Sequence, residues 1–187
     1  MPDKDVQTIR DLIFYQYSKI IARSAFNMHD GCDAKKSHYG FIKKTFSELK
    51  SGKKSWSSIT REDWQFVELI KKCIYCGAMV NLQAEHIVPK SIQIKPGCEK
   101  CDHLQGIHNQ VWACVDCNSS KGTLGLYQYF KKKNPDNEKY YDSIPSLLEK
   151  KYLKTIYKCH DCVGTLTGGD IDGNGKITVL DLDHVIH

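Results

Sequence analysis

The chain has 187 residues, of which 41% are apolar and 26% charged, a balance that fits one main core with small additions and excludes two large domains. No apolar run nears the roughly 20 residues of a membrane span, and the scattered charges Asp3, Lys4, Asp5 and Arg10 read as neither a secretory signal nor a transit peptide, which predicts a reducing, cytoplasmic setting. The formal net charge of +5 comes from 27 basic and 22 acidic residues. Residues 170–187 hold four Asp and one Lys, leaving +8 on the rest, so a polyanion partner is expected for the body and a cation for the tail.

In chain order, residues 6–26 predict a helix, with Val6, Ile9, Ile13, Tyr17, Ile20 and Ile21 forming one apolar face. Residues 29–37, with Asp30-Gly31, read as a loop. A second helix is expected over 38–49, broken by Ser51-Gly52-Lys53-Lys54. Thr60 reads as an N-cap, with Asp63 three residues on, opening a helix to about Lys72 that buries Trp64, Val67 and Ile70. These first 70 residues are the expected helical N-terminal segment. Residues 71–133 hold the dense Cys, His, Asn and Gly pattern and close with a short helix over 123–133. Residues 134–163 contain a loop, a helix over 146–157 with Leu147, Leu148, Leu153 and Ile156 inside, and a C-x-x-C knuckle. Residues 164–187 comprise a Gly/Thr linker, 164–169, and an acidic loop.

Eight of the nine cysteines form four C-x-x-C pairs: Cys73/Cys76, Cys98/Cys101, Cys114/Cys117 and Cys159/Cys162. In a reducing compartment this spacing favours metal thiolates over disulfides, and by count it fills two tetrahedral zinc sites. Cys32 is left as a small buried apolar residue.

The chemistry concentrates in three strings: Cys73-Ile-Tyr-Cys76, Glu85-His86-Ile87-Val88-Pro89-Lys90-Ser91, and Asn109 through Cys114-Val-Asp-Cys117-Asn118-Ser-Ser-Lys121-Gly122. Two knuckles 37 residues apart can share a zinc ion and clamp the ends of a long excursion. Between and just after them stand a carboxylate, an imidazole and two amides. A carboxylate and an amide oxygen are hard donors that suit Mg²⁺ or Mn²⁺. An imidazole beside such an ion is placed to take a proton from water, and a basic surround suits a phosphodiester.

These strings, in this order, resemble the HNH endonuclease family over residues 73 to about 125. The resemblance implies an α+β architecture: a ββα-metal core stapled by zinc and flanked by helical segments. It implies that His86 is the general base, that Glu85 and Asn118 hold a catalytic Mg²⁺ or Mn²⁺, that Asn109 braces the loop and orients His86, and that Lys121 faces phosphate or stabilises the finger. It also implies that Cys73, Cys76, Cys114 and Cys117 bind a structural zinc. Glu85 and His86 are adjacent, and neighbours on a regular strand point to opposite faces, so one shared site requires the strand to end or bend there.

Cys98, Cys101, Cys159 and Cys162 make a second set of four thiolates that would staple the insertion to the C-terminal helix. A rival set uses Cys98, Cys101, His103 and one more ligand. Asp170, Asp172, Asn174, Lys176 (through its carbonyl) and Asp181 fall at positions 1, 3, 5, 7 and 12 of a loop with Gly175 at position 6. This resembles an EF-hand loop, and with Asp at position 12 a dockerin half, which implies Ca²⁺.

The leading expectation is a metal-dependent DNA endonuclease of restriction or homing type. Its phosphate grip is assigned to Lys35-Lys36, Lys43-Lys44, Lys53-Lys54, Lys71-Lys72 and Lys131-Lys132-Lys133. A double-strand cut by one active site per chain would imply a homodimer. The alternatives are a zinc-stapled nucleic-acid-binding module without turnover, and a Ca²⁺-dependent interaction module built on a decayed nuclease motif.

Overall fold

The apolar spacing of residues 6–26 does produce a helix. In the computed structural model, which describes residues 4–29, 33–55, 71–90 and 102–186, α1 spans Ile9–Ala25, opened by Thr8, whose hydroxyl accepts the Asp11 N–H at 3.1 Å. The expected helix over 60–72 falls mainly on residues 56–70, outside the described residues, as do Cys32, Cys98 and Cys101.

More than one face of α1 is covered. Asp11, Gln16, Ser18, Lys19 and Arg23 are buried along with the apolar positions. Buried polar groups require partners; Ser18 donates to the Phe14 carbonyl one turn back, while the charged groups meet partners distant in sequence. Lys50 meets Asp11 at 3.0 Å. Arg23 meets Asp142 at 3.0 Å and Glu149 at 3.4 Å, and Lys19 lies over the Tyr141 ring. Burial pulls the Lys19 ammonium below its ordinary value, against the pull of Glu149 and Asp142.

α2 spans Ala34–Lys50, beginning earlier than the loop expected over 29–37 allows, and kinks at His38. That ring stacks on Phe26 just past the end of α1, with centroids 3.8 Å apart, so the turn between the two helices is closed by an aromatic pair.

The described strands form one antiparallel ribbon. β1, Leu82–His86, pairs with β2, Gln110–Cys114, in the register Leu82↔Cys114 through His86↔Gln110. Between them lie the one-turn helix α3, Asp102–Gln105, and a 3-10 turn over Ile107–Asn109. β2 runs straight into α4, Val115–Lys121, which packs back on β1. The result is a strand–strand–helix unit with both knuckles at one end.

α5, Leu126–Lys133, stops at Asn134, as its Asn-Pro sequence predicts. α6 covers Ser146–Val163 and carries the Cys159/Cys162 knuckle inside the helix instead of after it. The reason is local: no Gly or Pro interrupts the chain before Gly164, whose φ of 77° provides the left-handed cap. The Gly/Thr stretch 164–169 is not a free linker. Its Gly168 and Leu166 carbonyls accept the Ile9 and Arg10 N–H groups at 2.7 and 3.0 Å, satisfying the start of α1. A single apolar cluster runs from Val6 through Ile87, Val111 and Leu148 to Leu182. No described helix is long and apolar enough to cross a membrane.

Candidate functional site

The first and third knuckles, Cys73/Cys76 and Cys114/Cys117, converge, the pairing that the family resemblance implies. Cys73 opens a tight turn in which its N–H donates to the Ala78 carbonyl and the Gly77 N–H returns to the Cys73 carbonyl. Gly77 sits at φ 79°, a conformation that a side chain would strain. Cys114 ends β2 and is the N-cap of α4, and Cys117 lies in that helix's first turn. The four sulfurs lie within 4.8 Å of one another, with Cys76 and Cys114 at 3.7 Å. Four thiols this close can hold a tetrahedral metal ion such as Zn²⁺.

Their proton affinities are split. Against the upward push of burial, the backbone N–H groups of Cys114, Tyr75 and Cys76 bring the Cys73 thiol down to about 7. Burial and the neighbouring thiols raise Cys117 to about 12.

The Glu-His pair lies at the end of β1. Register places Glu85 with Val111 on the buried face, and His86 with Gln110 on the half-open face, where Gln110 Nε2 is 3.4 Å from His86 Nε2. β1 ends at His86, so the imidazole stands at the strand's exit while the carboxylate points into the core. Burial, then the positive charges of Lys90 and Lys121, push the His86 ring below its ordinary 6.5. A ring so placed is neutral near pH 7 and can accept a proton.

Asn109 has no exposed surface. Its Oδ1 accepts the Val88 N–H, and its Nδ2 donates to the carbonyls of Val88 and Leu104, each at 2.9 Å. Its own carbonyl accepts the Ile87 N–H at 2.9 Å. Through its side chain to Val88 and its main chain to Ile87, Asn109 ties the two residues after His86 to the start of β2.

The Glu85 carboxylate faces a cation of the chain itself. Lys121 Nζ lies 2.9 Å from Glu85 Oε1, with both side chains almost fully buried, and it also donates to the His86 carbonyl at 3.4 Å. Nearby, burial and the Glu85 charge raise the Tyr75 hydroxyl well above its ordinary value. Asn118 is half-buried on α4, three residues before Lys121 and so on the same side of the helix. The oxygens of Glu85 and Asn118 are donors of the kind Mg²⁺ or Mn²⁺ takes. Lys121 sits on the Oε1 side, while Oε2 is buried with no hydrogen-bond partner among the described residues, so a divalent ion at Glu85 would bind beside the ammonium at Oε2 or displace it.

Two participants were not singled out by the sequence. Gln110 faces His86 through the hairpin register, which pattern alone did not reveal. Lys90 acts on His86 through charge, and it stands in the same string only four residues on.

Cys159 and Cys162 lie one turn apart near the end of α6. Cys98 and Cys101, their expected partners, lie outside the described residues, and His103 Nε2 is 3.9 Å from Cys159 Sγ.

In the acidic tail, the carboxylates of Asp170, Asp172 and Asp181 lie within 4.8 Å of one another and can hold a cation. Asp181 is buried and accepts the N–H groups of Ile171 and Thr178. Asp170 accepts those of Asn174 and Gly175. Gly173 and Gly175 take φ of 71° and 83° to close the loop.

No family model matches the chain, and neither a curated protein nor a solved structure matches it.

Proposed function

We propose that the chain is a metal-dependent, HNH-type endonuclease acting on DNA phosphodiesters. The observation that carries this reading is the placement of His86. It stands at the exit of β1 in a strand–strand–helix unit whose ends meet at four cysteines, with Asn109 bracing the residues that follow it.

In this reading Zn²⁺ at Cys73, Cys76, Cys114 and Cys117 is structural. His86, neutral and partly exposed, removes a proton from the attacking water, and Gln110 fixes the ring. Lys90 supplies positive potential that draws the phosphate toward the imidazole. Glu85 and Asn118 would hold Mg²⁺ or Mn²⁺, which when bound polarises the phosphate and stabilises the leaving oxygen. The tail loop, through Asp170, Asp172, Asn174, the Lys176 carbonyl and Asp181, takes Ca²⁺, a role supported by its EF-hand-like spacing together with the clustering of its carboxylates.

A second reading is favoured by the Lys121–Glu85 pair: a zinc-stapled module that binds nucleic acid without turnover, its hard-cation site permanently filled by an ammonium. Supercoiled plasmid separates the two. The enzyme nicks or linearises it with Mg²⁺ or Mn²⁺, and His86→Ala with retained fold loses that activity. The binding module shifts plasmid mobility and leaves it uncut under every metal.

A further inference from the structure

A second set of metal-binding side chains meets where α6 ends. Cys159 is 1% exposed, and its sulfur lies 3.9 Å from His103 Nε2. Donors on one tetrahedral zinc stand about 3.5 Å apart, given bonds of about 2.3 Å to sulfur and 2.0 Å to nitrogen. The observed separation is therefore within a small side-chain adjustment of shared coordination. Cys162 follows Cys159 by three residues on the same helix and so lies on the same side of it, but the three donor atoms do not all lie within 4.8 Å of one another, and the Cys162 sulfur joins the other two by a turn of its side chain.

The backbone that carries the imidazole is held from several directions. Leu104, next to His103, is 1% exposed, and its carbonyl is bound by Asn109 Nδ2. His108 Nε2 lies 2.9 Å from the His103 carbonyl. Lys151 has no exposed surface, and it donates from α6 to the carbonyls of Ile107 and Gln110 at 3.1 and 2.9 Å. The turn that carries His103 is thus docked on α6 at Lys151, and His103 meets Cys159 two turns further along. The C-terminal end of a helix is its negative pole. It disfavours a bare thiolate but favours a dication bound there.

We propose that His103, Cys159 and Cys162 form a second metal centre of mixed imidazole–thiolate type, taking a thiophilic divalent ion such as Zn²⁺. The centre joins the segment entering β2 to the end of α6. Through the Asn109 clasp it braces the same turn that positions His86. It differs from the four-thiolate set expected from C-x-x-C counting because it places a histidine nitrogen in the first coordination sphere. It does not depend on the chain being a nuclease.

Zinc content and zinc X-ray absorption of the purified full chain test this. The expected result is one zinc for the four-cysteine cluster and a further one for this centre, with imidazole scattering in the spectrum. His103→Cys is expected to keep both ions and lose the imidazole signal, since sulfur can replace the nitrogen. Cys159→Ser is expected to lose only the second ion. Three results would overturn the proposal: a single zinc per wild-type chain, a spectrum with sulfur scattering alone at full zinc content, or imidazole scattering that persists in His103→Cys.

Discussion

Replacing Lys121 with methionine tests the buried pair at the centre of the site. The ammonium and the Glu85 carboxylate are 2.9 Å apart, with side-chain exposures of 0% and 4%. At an effective dielectric of about 20, that separation corresponds to roughly 6 kcal/mol of attraction, against which stands the cost of desolvating both ions. Lys121→Met removes the attraction but leaves the Glu85 carboxylate buried. The expected loss is about 3–5 kcal/mol of folding stability, the range for orphaning one member of a buried pair. The double variant Lys121→Met/Glu85→Leu removes both charges and is expected to recover most of that loss. Urea denaturation of zinc-loaded protein at pH 7 measures each value, provided the slope with denaturant is unchanged. Mg²⁺ is expected to raise the midpoint of Lys121→Met more than that of the wild type, because the carboxylate is then open to a cation. A Lys121→Met loss below about 1 kcal/mol, or a double variant as unstable as the single one, would refute the reasoning.

Three further outcomes follow from the geometry. Burial, against hydrogen bonds from Tyr152 and the Gln128 N–H, raises Asp183 from 3.8 to about 7, and burial lowers His160 from 6.5 to about 4. At 1.36 kcal/mol per pH unit these shifts have opposite signs. Asp183 costs roughly 4 kcal/mol of stability as pH rises from about 4 to 7, and His160 costs roughly 3 kcal/mol as pH falls from about 6.5 to 4. The wild type is expected to be nearly flat across this window, while Asp183→Asn loses roughly 3 kcal/mol on acidification. Parallel stability curves for the two proteins would contradict this.

A Cβ on Gly125 would lie 2.2 Å from Asp183 Cγ. Gly125→Ala is expected to cost about 3 kcal/mol in the same denaturation assay, and a neutral result would mean that Asp183 does not pack against the start of α5. Cys117→Ser is expected to release the zinc of the four-cysteine cluster, read by elemental analysis, and to lower the melting temperature. Full zinc retention would show that these four sulfurs do not share an ion.

The parts of this structure that depend on local pattern were legible in the sequence. The apolar spacing of α1 and the Asn-Pro stop of α5 follow from neighbours a few residues apart, and the C-x-x-C spacing marks the cysteines as metal ligands, while the choice of Cys73, Cys76, Cys114 and Cys117 as one set came from the family resemblance. The role of Asn109 as a brace was implied by family resemblance; its bonds to Val88 and Leu104 depend on the packed hairpin and could not be read from pattern. What was not legible depends on long-range partners. Arg23 looks like a solvent-facing residue until Asp142 and Glu149 arrive from over a hundred residues away. The 164–169 stretch reads as a linker because its composition is Gly/Thr, yet its carbonyls complete the first turn of α1. Lys121 was assigned to phosphate or the finger. Only the packing of α4 on β1 shows that its charge is answered by Glu85.

Cleavage of supercoiled plasmid by the zinc-loaded protein, with and without Mg²⁺ or Mn²⁺ and across pH, is the most direct test of the hydrolytic assignment. The account predicts metal-dependent nicking or linearisation. The rate should fall as pH drops through a value below 6.5, following the lowered His86 ring. His86→Ala, its fold intact, should reduce the rate by roughly 10²–10⁴. DNA left uncut under every metal and pH, or cut equally well by His86→Ala, would contradict it.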